Sequence, residues 1–174
     1  MSEMKKAAET AVKLELDSID FYTDAAAKAG NELGRSVFES LIKDEQRHLA
    51  AVKTLLENSI PHGTVEEVLP SRGKTFKSGI STVFSEARKH LDERIPADAD
   101  DLQALSTAME LERDGFRFYG EAAANAENET VRTIYHRLQD EENEHFEFLQ
   151  NAHQYLENSG DWFLWEEQGL LDGG

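Results

Sequence analysis

The chain has 174 residues, of which 35 are acidic and 18 basic, so its formal net charge is −17, and it contains no cysteine. The lack of cysteine excludes disulfides, zinc–thiolate sites, cysteine nucleophiles and cysteine-held iron–sulfur clusters within this sequence. The negative charge argues against partners such as nucleic acid or an anionic membrane. No apolar run reaches the ~20 residues that span a bilayer, and the N-terminal stretch lacks the apolar block of a signal peptide. We therefore expect one cytoplasmic domain.

Four long helices are predicted on either side of a proline-containing middle segment. All three prolines lie between residues 60 and 97, and the flanking stretches carry apolar side chains every three or four residues, which is the spacing of one helical face. The third of these stripes includes Phe116 as a core position. Asn31 and Asn128 are predicted N-caps, and Gly160 is a predicted C-terminal stop. The predicted helices cover residues 4–29, 32–58, 99–126 and 129–158.

The middle segment and the C-terminal end have patterns of their own. The crossover, residues 59–98, contains apolar side chains at helical spacing, which predicts a short extra helix over about 79–93. Both tryptophans lie in the tail, residues 161–174. We expect this aromatic tail to pack on the bundle or on a second subunit.

The two helical regions are copies of one hairpin. Shifting the chain by 97 residues aligns residues 7–48 with 104–145 without a gap, and 18 of the 42 aligned positions are identical. Composition alone gives roughly three identities over such a length. Two hairpins of this kind bury their apolar stripes against each other as a four-helix bundle. The sequence therefore predicts an all-α domain over residues 1–160, built from hairpins 4–58 and 99–158.

Each hairpin carries one glutamate on its first helix and a Glu-x-x-His pair on its second. In both copies the two glutamates are 30 residues apart, and the predicted turn lies halfway between them. Residues equally far from the turn of an antiparallel hairpin lie at the same height, here ~22 Å from the turn. The i,i+3 spacing places the members of each pair on one helical face. The six residues are Glu15, Glu45 and His48 in the first copy and Glu112, Glu142 and His145 in the second.

These six residues also continue the apolar stripes, so four carboxylates and two imidazoles are predicted to converge inside one core. Buried carboxylates without partners repel one another and each lose solvation worth several kcal/mol. Two divalent cations neutralise the four charges, and an oxygen-rich ligand set with one imidazole per metal suits iron or manganese. A single Glu-x-x-His is most often a solvated helix face, whereas two copies in matched register favour a di-metal site.

Two tyrosines and two acids lie near the predicted ligands. Tyr22 and Tyr119 each follow the first glutamate of their hairpin by seven residues, two turns along the same face. Each is either a core tyrosine that bonds a neighbour, or a functional residue that donates to a ligand carboxylate or is a redox-active neighbour of the metals. Asp44 and Glu141 either orient a histidine of the opposite hairpin or are exposed helix acids. We expect incidental roles for the other histidines, which are His62, His90, His136 and His153.

At these residues the sequence resembles the rubrerythrin branch of the ferritin-like di-iron carboxylate proteins. The resemblance implies that Glu45 and Glu142 bridge two iron ions. It also implies that Glu15 and His48 complete the shell of one metal, and that a matching pair from the second copy, Glu112 and His145, completes the other. The matching motifs are Glu15-x6-Tyr22, Asp44-Glu45-Gln46-Arg47-His48, Glu112-x6-Tyr119 and Glu141-Glu142-Asn143-Glu144-His145.

Two features differ from rubrerythrin itself. Rubrerythrin carries a cysteine-ligated rubredoxin domain, whereas this chain has no cysteine, so the resemblance implies a separate electron-transfer protein as the donor. Rubrerythrin also has an extra ligand glutamate one turn after the glutamate of its third helix. That position is Gly115 here, and Ser18 is the matching residue of the first copy. The remaining set of four glutamates and two histidines is closer to bacterioferritin-type centres.

The resemblance implies a di-iron oxidoreductase that reduces hydrogen peroxide or dioxygen, with a role in oxidative stress. A ferroxidase and an iron-binding protein without turnover are the alternatives, and the ligand set also suits manganese. The crossover is long enough to traverse a bundle ~40 Å long. It either does so or sends the second hairpin to a partner subunit as a swapped dimer. We expect a homodimer.

Overall fold

The computed structural model describes residues 3–57, 64–72 and 99–157, and over these residues it contains helices and no strand. The four long helices begin and end within two residues of the predicted bounds, which confirms the predicted all-α, ferritin-like bundle. The predicted helix over 79–93, the stop at Gly160 and the tail 161–174 lie outside the described residues. The helices are α1 (Glu3–Lys28), α2 (Glu32–Leu56), α3 (Val65–Val68), α4 (Ala99–Asn125) and α5 (Glu129–Glu157).

Both long hairpins turn at an asparagine that caps the following helix. The side-chain oxygen of Asn31 accepts hydrogen bonds from the backbone N–H groups of Leu33 at 2.9 Å and Gly34 at 3.3 Å. The side chain of Asn128 accepts one from the backbone N–H of Val131 at 3.1 Å. Each asparagine thereby satisfies N–H groups that have no acceptor inside the helix. Both predicted N-caps are confirmed.

The two hairpins pack side by side, with α1 against α4 and α2 against α5. The carboxylate of Asp101, at the start of α4, accepts hydrogen bonds from the backbone N–H groups of Gly30 at 3.0 Å and Asn31 at 3.1 Å. Helix α4 therefore begins at the end of the bundle where α1 stops. The single-turn helix α3 packs against α5 and α2. None of the described helices combines the length and apolarity needed to cross a membrane.

The core consists of two apolar layers with a polar layer between them. The layer near the turn between α1 and α2 includes Tyr22 and Phe38, and the layer at the other end includes Tyr119 and Leu138. The apolar stripes are interrupted at one height because charged residues occupy their inward positions there. The buried polar residues of this middle layer are Glu15, Asp44, Glu45, His48, Glu112, Glu141, Glu142 and His145.

One predicted core position is wrong. Phe116 is 38 % exposed, although the periodicity predicted that it faces the core. Successive residues of a helix point about 100° apart, and the inward stripe of α4 passes through Glu112, Gly115 and Tyr119, all of which are buried. The phenyl ring of Phe116 therefore lies beside that stripe, on the surface.

Candidate metal centre

The structure brings the six predicted ligands together at mid-height of the bundle, between the two apolar layers. All six are between 0 and 5 % exposed, so this is an interior cluster and not a surface patch. Four of them each offer one ligand atom within 4.8 Å of the other three, and these four are Glu45, His48, Glu142 and His145.

Glu45 lies between the two histidines. Its Oε2 atom is 3.0 Å from Nδ1 of His48, and its Oε1 atom is 3.0 Å from Nδ1 of His145. Oε1 of Glu142 is 3.1 Å from the same Nδ1 of His48. The two imidazole rings stack with their centroids 5.3 Å apart. Both Nδ1 atoms therefore face carboxylates, and Glu45 presents one oxygen to each ring.

The glutamates of α1 and α4 complete the cluster from opposite sides. Oε2 of Glu15 is 3.7 Å from Nδ1 of His48. Oε2 of Glu112 is 3.4 Å from Nδ1 of His145. Each histidine thus has a flanking glutamate from the first helix of its own hairpin, and the resemblance groups the same residues.

Several of these ligand atoms are buried without a hydrogen bond. Within the described part of the chain, this holds for both carboxylate oxygens of Glu45, Oε1 of Glu142, Oε2 of Glu112 and Nδ1 of His48. An unsatisfied buried polar atom costs about 1–3 kcal/mol, so a concentration of them at one point needs a reason. Carboxylate oxygens and imidazole nitrogens directed at a shared centre are the donor set of an iron or manganese site. The residues present therefore fit a pair of such cations.

The two tyrosines bond to glutamates of the opposite hairpin. The hydroxyl of Tyr22 donates to Oε1 of Glu112, and the hydroxyl of Tyr119 donates to Oε1 of Glu15. Burial, together with the nearby carboxylates, raises the pKa of both hydroxyls well above the usual value. They therefore remain protonated donors, and each fixes a carboxylate that the other hairpin contributes.

Asp44 and Glu141 bond to the histidine of the opposite hairpin and are buried, so they are not exposed helix acids. Nε2 of His48 is 2.8 Å from Oε2 of Glu141, and Nε2 of His145 is 2.8 Å from Oδ2 of Asp44. Burial alone would raise the pKa of Glu141, but the hydrogen bond and charge of His48 and the nearby guanidinium groups lower it to about 2. An ionised acid on Nε2 leaves Nδ1 of each ring directed at the carboxylate cluster.

A family model described as rubrerythrin matches residues 2–56 and 103–168. The chain belongs to the rubrerythrin family. This confirms the resemblance that the motifs indicated. Neither a curated protein nor a solved structure matches the chain. The matched segments contain all six predicted ligands and both tyrosines, so this rubrerythrin-family chain has a buried Glu/His cluster that could hold metal.

Two arginines complete the outer edge of the rubrerythrin-type site, and sequence reasoning assigned a role to neither. Arg47 donates to Oδ1 of Asp44 at 2.7 and 3.0 Å and also bonds Glu141. Arg72, four residues after α3, donates to Glu144 at 2.8 Å and to Glu141 at 3.1 Å. A signal for Arg72 exists in the repeat, because the residue that matches Arg47 in the second hairpin is Glu144, so that hairpin has no arginine at this position.

Burial and mutual charge shift the pKa values of the clustered side chains. Burial and the neighbouring carboxylates raise the pKa of Glu15 and Glu142 well above the usual value. Burial alone would lower the pKa of His48 and His145, but the carboxylates beside them raise it. Burial would raise the pKa of Glu45, yet the two histidines lower it. The charge of Glu45 and the charges of the two imidazoles therefore favour one another.

The remaining histidines stay outside this cluster where the structure describes them. His136 is exposed and His153 is partly buried, and Nδ1 of His153 lies 3.6 Å from the carboxylate of Glu157 near the end of α5. His62 and His90 fall outside the described residues.

Proposed function

We propose that this rubrerythrin-family chain is a di-iron oxidoreductase that reduces hydrogen peroxide or dioxygen with electrons from a separate electron-transfer protein. The observation that carries the proposal is the duplicated Glu/His set, buried at one height, with carboxylate oxygens that have no hydrogen-bond partner. Family membership supports the same chemistry.

The ligand assignment follows the positions of the side chains. Glu45 faces both histidines with its two oxygens, which supports a bridging role, and the resemblance implies the same role for Glu142. The other ligands divide into one pair for each metal, and these pairs are Glu15 with His48 and Glu112 with His145.

When bound, a ferrous pair supplies the two electrons that reduction of a peroxide O–O bond requires. Tyr22 and Tyr119 hold protons at hydroxyl oxygens that donate to Glu112 and Glu15, so proton donors stand directly beside ligand carboxylates. With Glu45 and Glu142, they are the catalytic residues of the proposal. The apolar layers above and below separate these groups from bulk water.

A ferroxidase, which oxidises incoming Fe(II), is the second candidate, and the surroundings of Gly115 favour it. A Cβ atom at this position would lie 2.8 Å from Oε2 of Glu142. The carboxylate of Glu142 thus occupies space that a side chain at 115 would need. The site therefore lacks the extra glutamate that the resemblance associates with rubrerythrin itself, and it keeps a symmetric four-glutamate, two-histidine set.

Oxidation kinetics distinguish these candidates. The protein is loaded with Fe(II) without oxygen and mixed with hydrogen peroxide or dioxygen, with and without an excess of a chemical reductant. The proposal predicts fast reoxidation by peroxide and continued peroxide consumption with the reductant. Dioxygen uptake that repeats as Fe(II) is added beyond the bound pair indicates the ferroxidase. Metal uptake without turnover indicates an iron-binding protein and contradicts both.

Metal binding is expected to release protons and to weaken as the pH falls. The raised pKa values of His48, His145, Glu15 and Glu142 mean that the metal-free protein holds protons that the cations displace. Because the metal-free form binds more protons, lower pH favours that form. Isothermal titration of Co(II) in two buffers with different ionisation enthalpies measures the number of protons released. A binding heat that is independent of the buffer would contradict this prediction.

The setting of the reaction is part of the proposal. The sequence contains no cysteine, so we propose that electrons arrive from another protein. We further propose iron as the resident metal, a cytoplasmic location and a homodimer. Metal analysis of the isolated protein and its mass in solution test the first and the last of these.

A further inference from the structure

The two hairpins are equivalent at the ligands but not at the residue before the histidine. Arg47 precedes His48, whereas Glu144 precedes His145. An arginine on the first hairpin is thus matched by a side chain of opposite charge on the second. The second hairpin therefore has no cation at this position, and Arg47 of the first hairpin bonds both Asp44 and Glu141.

Arg47 shows what a guanidinium does at the first site. Its Nη2 atom is 2.7 Å from Oδ1 of Asp44 and also bonds Oε2 of Glu141. The same nitrogen lies 3.4 Å from Nε2 of His48. Glu141 accepts the hydrogen bond of that Nε2, so Arg47 holds the acid that orients His48, and it also bonds Asp44, the acid on His145.

Arg72 repeats this arrangement at the second site. Its Nε atom is 2.6 Å from Oδ2 of Asp44, the oxygen that faces Nε2 of His145. The same Nε donates to Oε2 of Glu141 at 3.1 Å, and Nη1 donates to Glu144 at 2.8 Å. The Nη2 atom lies 2.8 Å from Nε2 of His145, which is a contact between two donor nitrogens when Nε2 donates to Asp44. The side chain is 8 % exposed. A guanidinium from the crossover therefore lies against the acids behind both histidines and directly beside His145.

We propose that Arg72 is a positioning residue for the metal site built on His145. Binding of metal through Nδ1 leaves the proton of the imidazole on Nε2, and Asp44 is its acceptor. Arg72 holds that carboxylate from the other side and compensates its charge in a buried environment. The inference rests on the proposed di-metal site, and it makes the crossover segment 64–72 a part of that site.

A purely structural role for Arg72 is the competing explanation, since the segment 64–72 also packs on α5. Arg137 offers a matched control, because it bonds Glu66 at 3.1 Å and Ser71 at 3.4 Å on the same segment and contacts neither histidine. If anchoring of the segment is what matters, loss of Arg137 and loss of Arg72 have the same effect.

The experiment titrates the metal-free, full-length protein with Co(II) in competition with a chelator and follows the visible absorption of the bound ion. We expect Arg72→Leu to lower the affinity for one of the two Co(II) ions by about 10–100-fold. This is the usual loss when a residue that supports a metal ligand is removed. Arg137→Leu should bind both ions as the wild type does. The double variant Arg72→Leu/Glu144→Arg should recover the lost affinity, because it restores the arginine that the first hairpin has.

Three outcomes overturn the proposal: wild-type binding by Arg72→Leu, an equal loss in Arg137→Leu, or no recovery in the double variant. Circular dichroism of each variant verifies that the helices are retained. The turnover assay is separate from this titration. If the protein binds two Co(II) ions but consumes no peroxide when it is loaded with iron, the proposed function is wrong. The assignment of Arg72 is then still decided by the titration.

Discussion

Replacement of Glu45 by alanine is expected to abolish stable binding of both metal ions. Oε2 of Glu45 lies 3.0 Å from Nδ1 of His48, and Oε1 lies 3.0 Å from Nδ1 of His145. A single carboxylate therefore serves both halves of the site. Loss of a residue that hydrogen-bonds to a metal ligand lowers metal affinity by about 10–100-fold. Loss of a ligand shared by both ions is expected to lower it by more than ~100-fold. His48→Ala should remove one ion and weaken the other less. Iron content after reconstitution and Co(II) titration measure both effects.

Two further variants make the result on Glu45 decisive. Glu45→Gln keeps the side-chain volume and removes the charge, so it is expected to fold and still lose metal. Glu39→Ala changes an exposed glutamate of the same helix and should leave metal binding unchanged. Wild-type iron content in Glu45→Ala would mean that the ligand assignment is wrong.

Replacement of Gly115 by alanine is expected to lower metal affinity without destabilising the metal-free protein. The new Cβ atom would lie 2.8 Å from Oε2 and 3.2 Å from Cδ of Glu142, so the carboxylate must move. It is the far end of a flexible side chain, and its displacement costs the fold little. Alanine in place of glycine inside a helix contributes about 0.5–1 kcal/mol of stability. We therefore expect a melting temperature that is unchanged or higher, together with metal affinity lower by about 10-fold.

Gly34→Ala provides the control for the effect of helix propensity. Nothing lies within 4 Å of a Cβ atom built on Gly34, so this substitution should stabilise α2 without touching the site. Thermal unfolding of the metal-free proteins and Co(II) titration compare the two variants. Equal metal affinity in Gly115→Ala and Gly34→Ala would show that the position of the Glu142 carboxylate is unimportant for binding.

The repeat made most of the site predictable, because its geometry lies within single helices and hairpins. The i,i+3 spacing of Glu45 and His48 sets their common face, and equal distances from the turn set the height of Glu15 and Glu45. Both depend on helix periodicity and on a turn whose asparagine cap is visible in the sequence. The same periodicity misplaced Phe116, since a stripe of apolar residues does not tell which of two adjacent positions faces inward.

Contacts between the hairpins were less accessible to sequence reasoning. The two tyrosines were placed near the ligands, but only the packed bundle shows that each bonds a glutamate of the other hairpin. The same holds for Asp44 and Glu141, whose two interpretations were left open until the histidines opposite them were located. Arg72 was missed because it lies outside the repeat.

The sequence by itself therefore determined the helices, the duplicated hairpin, the height of the ligands and the chemical type of the donor set. These properties depend on neighbours along the chain, at separations that the helix and the turn define. Only the tertiary structure decided which acid meets which histidine, which tyrosine meets which glutamate, and which acids the arginine of the crossover contacts. The pairings of acids with histidines and of tyrosines with glutamates join residues 90 to 104 positions apart, and their partners are selected by how the packed helices face one another.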